Sequence, residues 1–359
     1  QIDAEGGNFK LQAWDWWYYA EKLRKEKYDM NADSIKPYFQ LENVRQGAFL
    51  LANKLWGLQF KPLKNMPVYD KDVEVFEVLD ADNSHLGVLY TDYFPRDNKR
   101  SGAWMEELSG QYIKNGVNFR PVVINVGNFT KPTADKPSLL TIEEVETMFH
   151  EFGHALHALL SQCTYPTLSG TNVTRDFVEL PSQLMENWAT EPEMLRLYAK
   201  HYKTGEVISD NLIEKLQEMK KFNQGFYTVE LISAAILDLD WHTILEKKEI
   251  NVSEFEKNSM DNICLIPEIA PRYSSTYFSH IFSMGYDAGY YSYLWSEVLD
   301  ADAFEAFKET GDIFNKELAR SYRTNILEKG NSREPVLSYR NFRGYDPSPK
   351  ALMIRRGLR

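Results

Sequence analysis

The chain has 359 residues, 43% of them hydrophobic, and 52 acidic against 41 basic side chains give it a net charge of −11. That balance repels phosphate backbones and anionic bilayers, so nucleic acid and membrane surfaces are excluded as expected partners, while cationic peptides are favoured. Two cysteines, Cys163 and Cys264, build no disulfide framework, and no apolar run approaches the roughly 18 residues of a membrane span. No signal peptide is visible either, so a cytoplasmic setting is expected, with any upstream leader lying outside a chain that opens at Gln1.

Taken in chain order, the periodicity predicts a mainly α protein. Helices are expected over residues 11–28, 41–55, 141–161, 174–190, 191–202, 211–223, 228–245, 252–261 and 287–300. Strands are few: residues 73–79 and 86–94 flank the turn sequence Asp80-Ala-Asp-Asn83 and read as a hairpin, with 119–126 as a third strand. Turn-forming residues mark loops at 125–138 and 165–172, the second expected to move between the helices it joins. A chain of this length supports a large core in one or two lobes.

The helix over 141–161 carries the chemistry. Thr141 is its expected N-cap, and Glu144 three residues on completes a capping box. In its third turn stands His150-Glu-Phe-Gly-His154, an HExxH motif. At about 100° per residue, positions i and i+4 share one face, so both imidazoles can reach a single metal ion. Glu151 is set one step round, where its carboxylate can take a proton from an attacking water. His157 shares the face but lies about 10 Å further along the axis, too far to complete a tetrahedron, and is read as a supporting or packing residue. The metzincin pattern would need a histidine at the position of Leu160. On helix 174–190, Glu179, Ser182, Gln183 and Glu186 form an i, i+3, i+4, i+7 polar stripe, and spacing alone leaves both Glu179 and Glu186 open as a third ligand.

A second constellation lies downstream. Tyr286, Tyr290 and Tyr293, spaced i, i+4, i+7 after Gly285, are expected to project phenols from one face of a helix. Phenols donate hydrogen bonds without carrying charge, and donors placed where an oxyanion develops are worth roughly 2.7–4 kcal/mol each.

Three segments together resemble the thimet oligopeptidase and peptidyl-dipeptidase family of zinc peptidases, its bacterial peptidyl-dipeptidases above all. They are His150-Glu-Phe-Gly-His154, Asp176-Phe-Val-Glu-Leu-Pro-Ser-Gln183, and Arg272 to Trp295 with His280 and the three tyrosines. A looser likeness continues through Phe342-Arg-Gly-Tyr-Asp-Pro and Arg355-Arg-Gly-Leu. The resemblance implies a zincin-like helical metallopeptidase fold with a small β-sheet beside the HExxH helix, whose free edge would pair with an extended substrate. It also implies one Zn2+ per chain held by His150, His154 and Glu179. Glu186 and Asp176 are then left to orient a ligand histidine by accepting its other N–H. Tyr286 and Tyr293 would stabilise the oxyanion, His280 would hold substrate backbone, and Tyr290 would bind substrate. Arg272 is a candidate anchor for a C-terminal carboxylate, because guanidinium binds carboxylate in bidentate fashion. The implied substrates are short peptides, losing dipeptides from the C terminus; an endo-acting oligopeptidase, a carboxypeptidase removing single residues and a silent peptide-binding fragment are the alternatives. Complete family members are longer, so residues 1–359 read as a C-terminal catalytic region without its N-terminal half.

Overall fold

A five-stranded mixed sheet packed on the HExxH helix forms the centre of the computed structural model, which describes residues 1–28 and 32–358. Its strands come from β1 (Gln59–Pro62), β2 (Glu74–Leu79), β3 (His85–Asp92), β4 (Trp104–Ser109), β5 (Tyr112–Lys114), β6 (Val117–Phe119) and β7 (Val122–Val126). The sheet order is β1-β2-β3-β7-β4, and β5 and β6 form a separate hairpin. The hairpin expected around residues 80–83 is present, with β2 and β3 antiparallel and Val75 opposite Tyr90. β7 runs parallel to β3, and β4 closes the sheet antiparallel to β7, so β1 and β4 are its edges.

Alternation along the strands explains how the sheet is covered. Phe76, Val78, Leu89 and Val123 point into the main core with helices Leu41–Trp56 and Ile142–Leu160. Val75, Tyr90 and Ile124 point to the other face, where a smaller cluster including Leu63 and Met66 covers them. Helix Ile142–Leu160 lies against β3, β7 and β4 and against helix Leu180–Ala189. Among the described residues, no helix is long and apolar enough to cross a membrane, and both cysteines are free.

Two expected helices are altered, each for a local reason. The stretch 174–190 is split into Arg175–Val178 and Leu180–Ala189, with Glu179 between them. Pro181 has no N–H to give and its ring opposes the Phe177 carbonyl, so the helix must restart there. The helix expected at 287–300 runs instead over Ser292–Glu309. Tyr286 and Tyr290 therefore lie in turns, made possible by left-handed backbone at Gly285 (φ +77) and Ala288 (φ +50). Segment 165–172, expected to move, is fastened: the Gly170 N–H donates to Ser161 Oγ at 3.0 Å, and Thr171 reaches Glu107 of β4. The β5–β6 hairpin turns on Asn115-Gly116, both left-handed (φ +53 and +76), the Asn-Gly signature of a tight hairpin.

Candidate metal and catalytic site

Rules written in its own sequence place the HExxH helix. Thr141 Oγ1 accepts from the Glu144 N–H at 3.2 Å, while the Glu144 carboxylate accepts from the Thr141 N–H at 2.8 Å. In the third turn the rings of His150 and His154 stand 4.9 Å apart. Gly153 lets the next helix come close, since a Cβ there would lie 2.5 Å from the Pro181 carbonyl oxygen and 2.6 Å from Ser182 Cα. The break before Pro181 and this close approach bring the buried carboxylate of Glu179 to the two imidazoles, with Oε2 3.2 Å from each Nε2.

Donors on a tetrahedral ion with bonds of about 2.0–2.1 Å stand roughly 3.3 Å apart, so the 3.2 Å spacings fit zinc. His150, His154 and Glu179 are the group of possible metal ligands found among the described residues. The surroundings support that fit. Glu186 Oε1 lies 2.5 Å from His150 Nδ1, which fixes the ring's proton on that side and turns the Nε2 lone pair toward the site. Ser182 Oγ donates to Glu179 Oε2 at 3.0 Å. Burial disfavours charge on both partners, yet Glu179 and Glu186 hold the His150 imidazole well above the usual histidine range, and the two imidazoles hold Glu179 well below the usual carboxylate range. Such a pocket favours a cation among its groups. Glu151 is buried beside it with Oε2 unpartnered, and burial pushes its carboxyl upward.

The tyrosines reach the site from the other side. Tyr286 stacks on Tyr293 with centroids 5.0 Å apart, and its hydroxyl donates to Glu179 Oε1 at 2.6 Å. Arg175 lies over the Tyr286 ring at 4.4 Å, and Gln183 donates to the Tyr293 carbonyl at 3.1 Å. His280 sits among Tyr273, Tyr286, Tyr290 and Tyr293 at 5.0 to 6.4 Å, with Nδ1 buried and unpartnered. Burial, then Arg272, pull its pKa down. Arg272, Tyr290, Tyr293, His280 and His150 line one cavity of about 570 Å³.

One expected supporting residue, Asp176, is placed elsewhere, and His157, read as supporting or packing, takes the packing role. Asp176 accepts from the Tyr291 hydroxyl at 3.2 Å and touches neither histidine, because the helix break turns it away from them. His157 is fully buried with both ring nitrogens unpartnered, and burial pulls its pKa down to about 3, so it is a neutral packing residue. The sequence reading missed Gly153, although it stands inside the motif, and it missed Asp238. The Asp238 carboxylate, fully buried on helix Gln224–His242, accepts the N–H groups of Ala288 at 3.0 Å and Tyr290 at 2.8 Å, with His242 Nδ1 at 2.8 Å. An acid directly after the apolar run Ala234-Ala-Ile-Leu237 was the available signal.

An HExxH helix whose histidines meet a glutamate from the break between the two helices that follow defines a class of metal-dependent hydrolase. The chain belongs to peptidase family M3, whose profile matches residues 1–358. It is 44% identical to a dipeptidyl carboxypeptidase of Escherichia coli over 99% of this chain and 52% of that protein. Oligopeptidase A of the same organism is 38% identical over 99% of the chain and 53% of its own length. The chain thus spans about half the length of the curated relatives it matches. An M32 carboxypeptidase from Deinococcus radiodurans shares the fold at a TM-score of 0.50 and 14% identity, over 90% of this chain and 60% of that one.

Proposed function

We propose that the protein is the catalytic region of a zinc-dependent peptidase that releases dipeptides from the free C termini of short peptides. The observation carrying this reading is the convergence of His150, His154 and Glu179 at 3.2 Å beside the unpartnered carboxylate of Glu151. Zinc held by those three residues would supply Lewis acidity to water and to a carbonyl oxygen. Glu151 takes the proton of the attacking water and passes it to the leaving amine. The phenols of Tyr293 and Tyr286 donate to the developing oxyanion, Tyr286 first leaving Glu179. His280 and Tyr290 hold the substrate backbone, which extends along the free edge of β4. Arg272 takes the terminal carboxylate two residues past the scissile bond, having no carboxylate of its own within ion-pair distance among the described residues.

Relatives named oligopeptidase A favour a second reading, cleavage at internal bonds. Product masses from paired peptides ending in a free acid or an amide separate the two. Stepwise loss of dipeptides from the free acid alone is expected. Equal internal cleavage of both forms would replace the dipeptidase reading with the oligopeptidase one, and turnover unaffected by a chelator would end both.

A further inference from the structure

Most charges around the cavity beside His150 are matched. Asp300 accepts from Arg355 at 2.6 Å and from Asn187 at 2.8 Å, Glu297 takes both Arg355 and Arg356, and Glu186 is engaged with His150. Besides Arg272, one cation lining the cavity is left over among the described residues. Lys220, just past helix Asp210–Met219, makes backbone hydrogen bonds, but its ammonium has no hydrogen bond or ion pair among the described residues. It stands where the cavity meets a second one of about 520 Å³, whose wall includes Ile142, Leu216, Met219 and Phe222. Glu146 borders both cavities, but burial and then Glu186 push its carboxyl up to about 7, so it is no committed counter-ion.

A half-buried ammonium without a direct partner is unfavourable: burial pulls the pKa of Lys220 down against the more distant Glu146 and Glu191, and Glu191 is paired with Lys308. Local rules of this kind are broken where a ligand completes the arrangement. We propose that Lys220 is a specificity residue that binds a carboxylate of the peptide substrate at the junction of the two cavities. The inference rests on the peptidase reading above and adds a second anionic position to the one assigned to Arg272. It gives the cleft a local preference for acidic peptides, opposite to what the net charge of −11 suggests. The carboxylate comes from an acidic side chain or from the C terminus of a longer peptide.

The test uses zinc-loaded Glu151→Gln protein and calorimetric binding of two pentapeptide pairs, Glu against Gln at the last position with an amidated end, and free acid against amide with Gln there. In this parent at least one pair should favour the carboxylate on the order of ten- to a hundredfold, the range of a charge-assisted hydrogen bond. Adding Lys220→Met should shrink the preference that Lys220 supplies, to about unity in the Glu/Gln pair or to the remainder set by Arg272 in the free-acid/amide pair, whereas Lys220→Arg should retain it; the affected pair identifies the source. Removing a half-buried charge that has no direct partner does not destabilise, so the Met variant should melt no lower than its parent. Preferences unchanged by Lys220→Met in both pairs would overturn the inference alone. Failure of all four peptides to bind protein with full zinc would overturn the peptidase reading, and the inference with it.

Discussion

Substituting Gly153 by alanine tests whether the close helix contact makes the metal site. The added Cβ would sit 2.5 Å from the Pro181 carbonyl oxygen and 2.6 Å from Ser182 Cα, both backbone, and ordinary contact begins near 3.4 Å. Helix Leu180–Ala189 must therefore retreat by about 0.9 Å, and Glu179 is only two residues before Pro181. Metal–donor distances tolerate about 0.2 Å, so the movement exceeds the margin severalfold. Two stability effects oppose each other: overpacking costs about 1–3 kcal/mol, while alanine gains about 1 kcal/mol in helix propensity. The fold should survive with a net loss of at most about 2 kcal/mol. Zinc affinity should fall at least ten- to a hundredfold, the range for disturbing groups that support a ligand. Chelator competition gives the affinity and thermal melting of the apoprotein gives the stability. Wild-type zinc affinity in Gly153→Ala would refute the argument; a melting loss with normal zinc would show a packing role only.

Glu151→Gln should keep about one zinc per chain while kcat falls by roughly a hundred- to ten-thousandfold, since shape is retained and the proton acceptor removed; near-normal turnover would assign the base elsewhere. Asp238→Asn replaces an acceptor of the Ala288 and Tyr290 N–H groups by a partial donor, so kcat should drop about tenfold and KM rise, with zinc content little changed; unchanged kcat and KM would show that the turn holds its shape without Asp238. The unfolded chain protonates His157 below its ordinary value near 6.5, but the fold resists this down to about 3. That contribution is complete above pH 6.5 and is lost as pH falls toward 3, at about 1.4 kcal/mol per pH unit. His157→Leu should flatten urea-unfolding stability between pH 7 and 5, and an unchanged slope would show that His157 does not resist protonation.

What the sequence made legible was what neighbouring residues decide. The capping box at Thr141, the i, i+4 histidines and the hairpin around residues 80–83 depend on contacts a few residues long, and each is present. Glu179 and Glu186 could not be separated by spacing because the stripe assumed a continuous helix; Pro181 breaks it and rotates Glu179 relative to Glu186. The tyrosine turn was read as helix because its i, i+4, i+7 pattern is genuine. What overrides it is Asp238, about fifty residues earlier in sequence, which binds the N–H groups that a helix would have used. Strand β4 was missed because an edge strand is half exposed and its residues Trp104–Ser109 do not alternate cleanly.

The two halves of the site are held by different means, and this bears on how it works. His150 and His154 stand on a helix buried in the main core, and Glu179 in the break between two helices of that core, among Phe149, Phe152, Leu180 and Leu184. The tyrosine turn belongs to a separate small cluster of Ala234, Ala235, Phe278, Ile281 and Tyr290. Between them, among the described residues, run a handful of polar ties: the Tyr286 hydrogen bond to Glu179, the Tyr291 bond to Asp176, the Gln183 bond to the Tyr293 carbonyl, and Arg175 over the Tyr286 ring. Elements with few buried apolar contacts to the main core open at lower free energy than the core itself. Amide exchange should therefore be faster at residues 286–291 than at residues 150–154. A peptide analogue bound to the zinc-loaded protein should slow the first group more than the second, because its oxyanion-side contacts add ties where few exist. Equal protection of both segments in the free protein would mean that the site is one rigid unit, and that the phenols need no movement to meet the substrate.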